Sequence, residues 1–208
     1  VHHPAVVHPT TAMESLPPLH AATCSTPESF LVSPVHEPKF SYVSQGFKDV
    51  YGLSASECRG KSCMCLLDSL QVSAEKIKGM AQFAELELSS IKRKLQYLAL
   101  YAAHEQKSLT KAGPCDRVGV ALVLHSMAGG NVFACELTTF VFMHPTQELC
   151  TINVQKDVTN IFSVDCILNA AGTGEYIRLM RVQRAAVNAM ESILRLKSEV
   201  VPSVLACM

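Results

Sequence analysis

The stretch that decides the fold runs from Phe40 to Leu67 and reads FSYVSQGFKDVYGLSASECRGKSCMCLL. Its first residues, 40–43, are predominantly apolar and predict a short strand. Three apolar residues then follow at helical spacing: Phe47, Val50 and Tyr51. Gly52 ends that helical turn, because glycine readily takes the left-handed conformation that a helix end needs. The stretch therefore predicts a strand followed directly by a short helix.

A second short helix is predicted after Gly52. Ser54 is a good N-cap, and Glu57 stands three residues later, which is the spacing of a capping box. Gly60 ends this helix, and Cys63 follows at the next turn. These elements form a distinctive local pattern: a strand, a helix, a glycine, a capped helix, a second glycine and a cysteine.

This order resembles the front half of a PAS domain of the LOV branch, the flavin-binding blue-light sensors. The family pattern is aromatic-x-x-Ser-x-x-Phe, then Thr-Gly-Tyr, then Glu, then Gly-Arg-Asn-Cys-Arg-Phe-Leu-Gln. The matching positions here are Ser44, Phe47, Tyr51-Gly52-Leu53, Glu57 and the segment 60–67. Downstream, the segment 152–160 (INVQKDVTN) resembles the last strand of LOV domains. The two matches stand in the family's order along the chain.

The resemblance implies FMN as the cofactor and assigns residues to it. Cys63 is the candidate thiol that adds to the excited flavin, and Leu66 and Gln155 are candidate cofactor-binding residues. Gln155 occupies the position of the glutamine that senses the flavin's protonation. An amide suits that role because it can offer either a donor or an acceptor.

Five positions depart from the family's flavin-binding pattern: Ser62, Met64, Leu67, His125 and Cys135. Met64 replaces an arginine that meets the flavin phosphate, which removes a charge-assisted hydrogen bond. His125 and Cys135 fall where two strand asparagines read the flavin's polar edge. Two functions therefore stay open: a blue-light photoreceptor that forms a cysteinyl-flavin adduct, and a flavin-free PAS module for dimerisation or protein–protein interaction. An enzyme is not expected, since no catalytic dyad or cofactor loop can be named.

The expected fold is α+β, a five-stranded antiparallel sheet with helices on one face. Residues 1–27 are expected to be an irregular leader, 28–162 the PAS/LOV-like domain, and 163–208 a C-terminal helical extension. In chain order, the predicted strands are 30–32, 40–43, 117–125, 131–143 and 149–158. Residues around 83–111 are expected to form a helical insertion relative to LOV domains.

Two long helices are predicted as routes for assembly. A helix from Ser73 towards Lys107 carries an apolar seam of heptad type, and it is expected either to break near Ser89-Ser90 or to project. The seam contains Ile77, Ala81, Ala84, Leu88, Ile91, Leu95, Leu98 and Ala102. A second amphipathic helix is predicted from Glu175 to about Val200. These helices predict a homodimer or a partner protein, although the alternative that both cover the chain's own sheet stays open.

The composition of the chain argues against several classes of protein. The chain has 208 residues, and 18 basic residues balance 18 acidic ones. This zero net charge argues against nucleic-acid binding driven by bulk charge. No membrane span is expected. Nine scattered cysteines favour reduced thiols in the cytoplasm, with the nucleus also open. No metal site is expected, because Cys58, Cys63 and Cys65 lack the paired spacing of zinc ligands.

Overall fold

The computed structural model describes residues 29–37, 39–62, 65–114, 117–127 and 130–189, and for 65–71 and 188–189 it describes the backbone. The strands are β1 (Ser29–Pro34), β2 (Tyr42–Val43), β3 (Gly119–Ser126), β4 (Val132–Met143) and β5 (Leu149–Asp157). The helices are α1 (Gln45–Tyr51), α2 (Ala55–Cys58), α3 (Cys65–Gly79), α4 (Leu88–Ala112), α5 (Val164–Ala170) and α6 (Gly174–Ala189).

The five strands form one antiparallel sheet in the order β2-β1-β5-β4-β3. The first strand thus pairs with the last, with Ser29 opposite Gln155 and Leu31 opposite Asn153. This sheet confirms the expected α+β fold, and each predicted strand overlaps an observed one. The first and last strands thus lie side by side within the sheet, so residues far apart in sequence share one face.

Strand register divides the sheet into two faces, because successive side chains point to opposite sides. On the inner face Leu31 lies in one cluster with Phe47 of α1, and His125 contacts Tyr51 of the same helix. The outer face of β1, β2, β4 and β5 carries a separate buried cluster: Phe30, Val32, Tyr42, Phe140, Phe142, Cys150, Ile152 and Val154. Both faces therefore carry buried apolar side chains, and α1 packs on the inner one.

The long helix expected from Ser73 to Lys107 is two helices. The chain leaves α3 at Gly79, makes a 3-10 turn over Ala81–Phe83, and enters α4 at Leu88. The break therefore falls earlier than the predicted Ser89-Ser90. Glycine lowers helix propensity at this point, and the turn buries Phe83, which is 1% exposed, in the core. Helix α5, between β5 and α6, falls in the segment predicted as a C-terminal helical extension, but a separate helix was not predicted there.

The apolar seam of these helices belongs to the chain's own core. Ile91, Leu95 and Leu98 of α4 are at most 1% exposed and cluster with β3. These three residues therefore offer no free surface to a second copy, which favours the alternative that the helix covers the chain's own sheet. Ala81 and Ala84, at the other end of the predicted seam, are exposed. The heptad spacing arises because the same side of α4 faces the sheet along much of its length.

The final helix begins at Gly174, close to the predicted Glu175, and its stripe of buried residues faces the edge strand β3. The stripe consists of Tyr176, Met180, Gln183 and Val187. The Tyr176 hydroxyl donates to the backbone oxygen of Leu122 at 2.7 Å. Gln183 donates to the buried carboxylate of Glu136, whose side chain lies on the outer face of β4. Helix α6 is thereby fixed to β3 and β4.

The described residues leave some predictions open. The leader 1–27, Cys63, Met64 and the helix continuation 190–200 lie outside them. The domain boundaries and the insertion around 83–111 stay predictions. Among the helices of the described residues, none combines the length and apolarity that crossing a membrane requires.

Candidate functional site

The candidate site lies on the inner face of the sheet, below α1. Ser44 fixes the start of α1, because its Oγ accepts hydrogen bonds from the backbone N–H groups of Phe47 and Phe30, at 3.1 and 2.9 Å. The first is an N-cap and the second ties the helix to β1. Gly52 ends α1 with φ of 69°, in the left-handed region that favours glycine. These two ends hold the last helical residue, Tyr51, over β3 and β4.

Tyr51 makes a close polar contact with His125 of β3. The Tyr51 hydroxyl and His125 Nδ1 are 2.6 Å apart, and the tautomer of the imidazole decides which atom donates. Phe47 and Phe133 pack against the Tyr51 ring, with centroids 4.6 and 6.4 Å away. The His125 ring also meets Phe133 edge-on, at 6.2 Å. An aromatic cage thus surrounds one hydrogen-bonded pair.

Burial keeps this cluster uncharged. It lowers the pKa of His125 to about 4, so the imidazole is neutral at physiological pH. Burial raises the pKa of Tyr51, and the nearby Cys135 adds to that rise. Burial also raises the pKa of the Cys135 thiol far above its usual range. Cys135 is therefore an unreactive thiol, since the thiolate is the nucleophile.

A row of buried polar side chains continues across the inner face from β4 to β1. Thr139 Oγ1 donates to Asn153 Oδ1 at 2.7 Å, and Asn153 Nδ2 donates to Thr151 Oγ1 at 3.3 Å. Ser29 Oγ donates to Gln155 Oε1 at 3.0 Å. The row is uncharged, and its members satisfy one another, as buried polar groups require.

The structure describes the predicted site residues unequally. Gln155 lies on β5, 5% exposed, on the inner face with Asn153. Cys63 lies outside the described residues, and of Leu66 only the backbone, in α3, is described. The roles assigned to all three residues stay predictions. His125 and Cys135 are described, and the structure brings both together with Tyr51.

The residues of this face fit a flavin only in part. Gln155 presents an amide on the correct face. The positions that the resemblance assigns to the flavin's polar edge, however, hold His125 and Cys135, and the Tyr51 hydroxyl already engages His125. A flavin edge there would have to break that contact and find no amide to replace it. The polar end of the site therefore does not fit FMN.

Sequence reasoning identified His125 and Cys135 as departures but missed their contact with Tyr51. The sequence did contain an indication of this contact, because Tyr51 stands where the family pattern has a threonine. The polar row was also missed. Its signal was the alternation of Thr151, Asn153 and Gln155 along an otherwise apolar strand, the period expected for one face.

The sheet order, with its helices inserted between β2 and β3, defines the fold as that of a PAS domain. No protein-family model matches the chain, and no curated protein sequence does either. Solved structures of LOV and PAS domains do match.

Three of these structures show the level of likeness. A fungal LOV domain photoreceptor is 16% identical, with a TM-score of 0.42 and coverage of 74% of this chain and 84% of that chain. An RNA-binding Light-Oxygen-Voltage receptor is 14% identical, with a TM-score of 0.44 and coverage of 90% and 44%. A PAS domain from Colwellia psychrerythraea is 10% identical, with a TM-score of 0.41 and coverage of 67% and 92%. Likeness at this level says nothing about ligand or partner.

Proposed function

We propose that this chain is a PAS sensory module that works without flavin, as a unit for protein–protein interaction. The observation that carries the proposal is the 2.6 Å contact between Tyr51 and His125. It closes the end of the inner face where the family reads the flavin's polar edge. The PAS fold supplies the scaffold, and the apolar and polar groups of the inner face stabilise it instead of holding a cofactor.

The proposal is tested by flavin binding. Purified protein is incubated with FMN in the dark, desalted, and measured by absorption and by calorimetry. The wild-type chain is expected to retain no flavin. The triple variant Tyr51→Thr, His125→Asn, Cys135→Asn restores the family residues at the polar edge and is expected to bind FMN measurably.

The matched control for these substitutions is His104→Asn, an exposed histidine on α4. This variant, like the wild-type chain, is expected to retain no FMN. Wild-type protein that purifies with flavin, or that shows blue-region absorption bleached by light, would overturn the flavin-free proposal.

A LOV-type blue-light photosensor is the second candidate, and the placement of Gln155 favours it. The amide is buried on the inner face and accepts from Ser29, where the resemblance expects a flavin-sensing glutamine. Under this candidate Cys63 is the adduct thiol and FMN the cofactor. Light-minus-dark absorption of wild-type protein and of Cys63→Ala decides it. A difference signal that is present in the first and absent from the second would establish this function.

A further inference from the structure

Helices α4 and α6 lie side by side and run in the same direction. The Tyr176 ring of α6 meets Tyr97 and Tyr101 of α4 edge-on, with centroids 5.5 and 5.1 Å away. Further along both helices, Arg184 Nη2 is 2.6 Å from Glu105 Oε2. Between these contacts α6 advances by eight residues and α4 by eight from Tyr97 or four from Tyr101, so the two helices run alongside each other over this length. Side chains exposed on either side of this line of contacts therefore lie on neighbouring parts of the molecular surface.

The solvent-facing stripe of α4 is cationic and contains one apolar residue. Its members are spaced by seven, four, three and four residues and are all exposed: Arg93, Leu100, His104, Lys107 and Lys111. This spacing places them on one side of a helix. No acidic residue interrupts the stripe. Leu100, at its centre, is 62% exposed, one of the most exposed large apolar side chains among the described residues.

Helix α6 adds two arginines beside this stripe. Arg178 and Arg181 lie opposite the buried stripe of α6 and are exposed. Arg178 pairs with Glu175 of the same helix at 3.2 Å. Among the described residues no ion pair involves Arg93, Lys107 or Arg181. The charge of these three side chains is therefore open to an outside partner.

Partly exposed apolar side chains form the floor between the two helices. Tyr97 and Tyr101 of α4 and Ile177 of α6 are each partly buried. We call this floor, with Arg93, Leu100, His104, Lys107, Arg178 and Arg181, the α4–α6 surface. An apolar centre within a charged rim is the anatomy of protein interfaces, and tyrosine and arginine are the residues that most often dominate their energetics.

We propose that the α4–α6 surface docks an acidic amphipathic helix of a partner protein. The inference rests on the proposed function as an interaction module and names the chemistry of its partner. The apolar residues of such a helix cover Leu100 and the tyrosines, and its carboxylates meet Arg93, Lys107 and Arg181. A single strand of nucleic acid is disfavoured, because the exposed Leu100 occupies the centre of the surface and offers no partner to a phosphate.

A display selection tests the proposal without a known partner. Full-length protein is the bait for a library of 20-residue helical peptides with randomised exposed positions. Enriched peptides are expected to carry net negative charge and apolar residues at i, i+3 or i+4 spacing. Their Kd, measured by fluorescence anisotropy, should rise at least tenfold in Leu100→Asp and in Arg93→Glu with Arg181→Glu, and should also rise with salt.

Two control variants match these substitutions elsewhere on the chain. Ile161→Asp changes an apolar side chain that is likewise 62% exposed, and Arg59→Glu reverses an exposed arginine. Each should change the Kd less than twofold. Circular dichroism shows that every variant is folded before its binding is read.

Several results would overturn the proposal. These are an enrichment of neutral or basic peptides, a selection that yields no binder, or a Kd that the surface variants leave unchanged. Oligouridine or anionic vesicles bound in place of peptides, with binding lost in the arginine variants, would reassign the surface to another ligand. Self-association lost in Leu100→Asp would reassign it to a second copy. None of these results bears on flavin binding, so the two proposals fail separately.

Discussion

At the scale of single residues, the decisive feature is the uncharged cluster of Tyr51, His125 and Cys135. Each residue occupies a place where the LOV pattern has a smaller or amide side chain, and together they form one hydrogen-bonded aromatic cage. Because His125 and Cys135 both interact with Tyr51, the three departures from the pattern belong together. Under the flavin-free proposal, these side chains occupy the place that the LOV pattern assigns to the polar edge of a ligand.

The lowered pKa of His125 predicts a pH dependence of stability. An unfolded histidine titrates near its usual value of 6.5, whereas the folded chain holds the pKa at about 4. Between these values the unfolded state binds a proton that the folded state does not, so stability falls as the pH drops from about 7 to 4. The loss attributable to His125 should be about 3 kcal/mol.

Urea unfolding of wild type and His125→Gln from pH 7.5 to pH 4.5 measures this loss. The variant should be less stable at neutral pH but should lose less stability on acidification. His144→Gln, at an exposed turn, is the control and should keep the wild-type slope. Parallel pH profiles for wild type and His125→Gln would contradict the prediction.

Tyr51→Phe should destabilise the fold by about 1 to 2 kcal/mol. It removes the hydroxyl and leaves a nitrogen of the partly buried His125 without its partner. Tyr97→Phe changes the same atom on a partly exposed ring of α4 and should cost less than about 0.5 kcal/mol. Urea denaturation of both variants makes the comparison, and equal losses would show that the Tyr51 hydroxyl contributes nothing specific.

The cluster also marks where sequence-based prediction stopped. The capping at Ser54 and the glycine at position 52 depend on local backbone chemistry, so the sequence predicted those helix ends. The contact between Tyr51 and His125 joins residues 74 positions apart. Only the pairing of β1 with β5 and β4 with β3 brings such residues together, and a single sequence does not encode that distance in any local pattern.

At the scale of elements, α4 shows how one helix can serve two surfaces. Its buried side, with Leu95 and Leu98, faces the sheet, and its exposed stripe carries Leu100 among basic residues. The heptad pattern in the sequence does mark an apolar side of α4, and the structure packs Ile91, Leu95 and Leu98 of that side into the chain's own core. Periodicity identifies an apolar side of a helix and leaves the identity of the covering partner undetermined.

Leu95→Ala and Leu100→Ala form a matched pair within α4. Leu95 is 1% exposed, so its truncation leaves a cavity and should cost about 2 to 5 kcal/mol. Leu100 is 62% exposed, and its truncation should change stability by no more than about 0.5 kcal/mol. Thermal or urea unfolding measures both. A large loss in Leu100→Ala, at concentrations where the chain is monomeric, would contradict the placement of α4.

At the scale of the whole molecule, one core joins the edge strand to four helices. Residues of β3, α3, α4, α5 and α6 belong to a single buried cluster, which includes Val120, Leu98, Ile167 and Tyr176. Helix α6 therefore shares buried contacts with both the sheet and α4. We infer that the described part of α6 is integral to the fold, although it follows the last strand.

Native-state hydrogen exchange should show that α4, α6 and β3 open together. Amides of α6 up to Val187 should have opening free energies within about 1 kcal/mol of those of β3, since cooperative units exchange as one. Tyr176→Ala should lower the protection against hydrogen exchange in both α6 and β3. If α6 exchanges at a much lower free energy than β3, then it is a separate, weakly attached unit.

The rings of Tyr176, Tyr97 and Tyr101 give the molecule an intrinsic spectroscopic label. The chain has no tryptophan, and three of its five tyrosines lie in edge-on contact at the junction of α4 and α6. Phenol rings in so asymmetric and rigid an environment produce near-ultraviolet dichroism and exchange excitation energy. The hydrogen bond from Tyr176 to Leu122 shifts its absorption away from that of solvated tyrosine. Any event that separates the two helices, whether ligand, partner or heat, is therefore visible in unmodified protein, without dye or isotope.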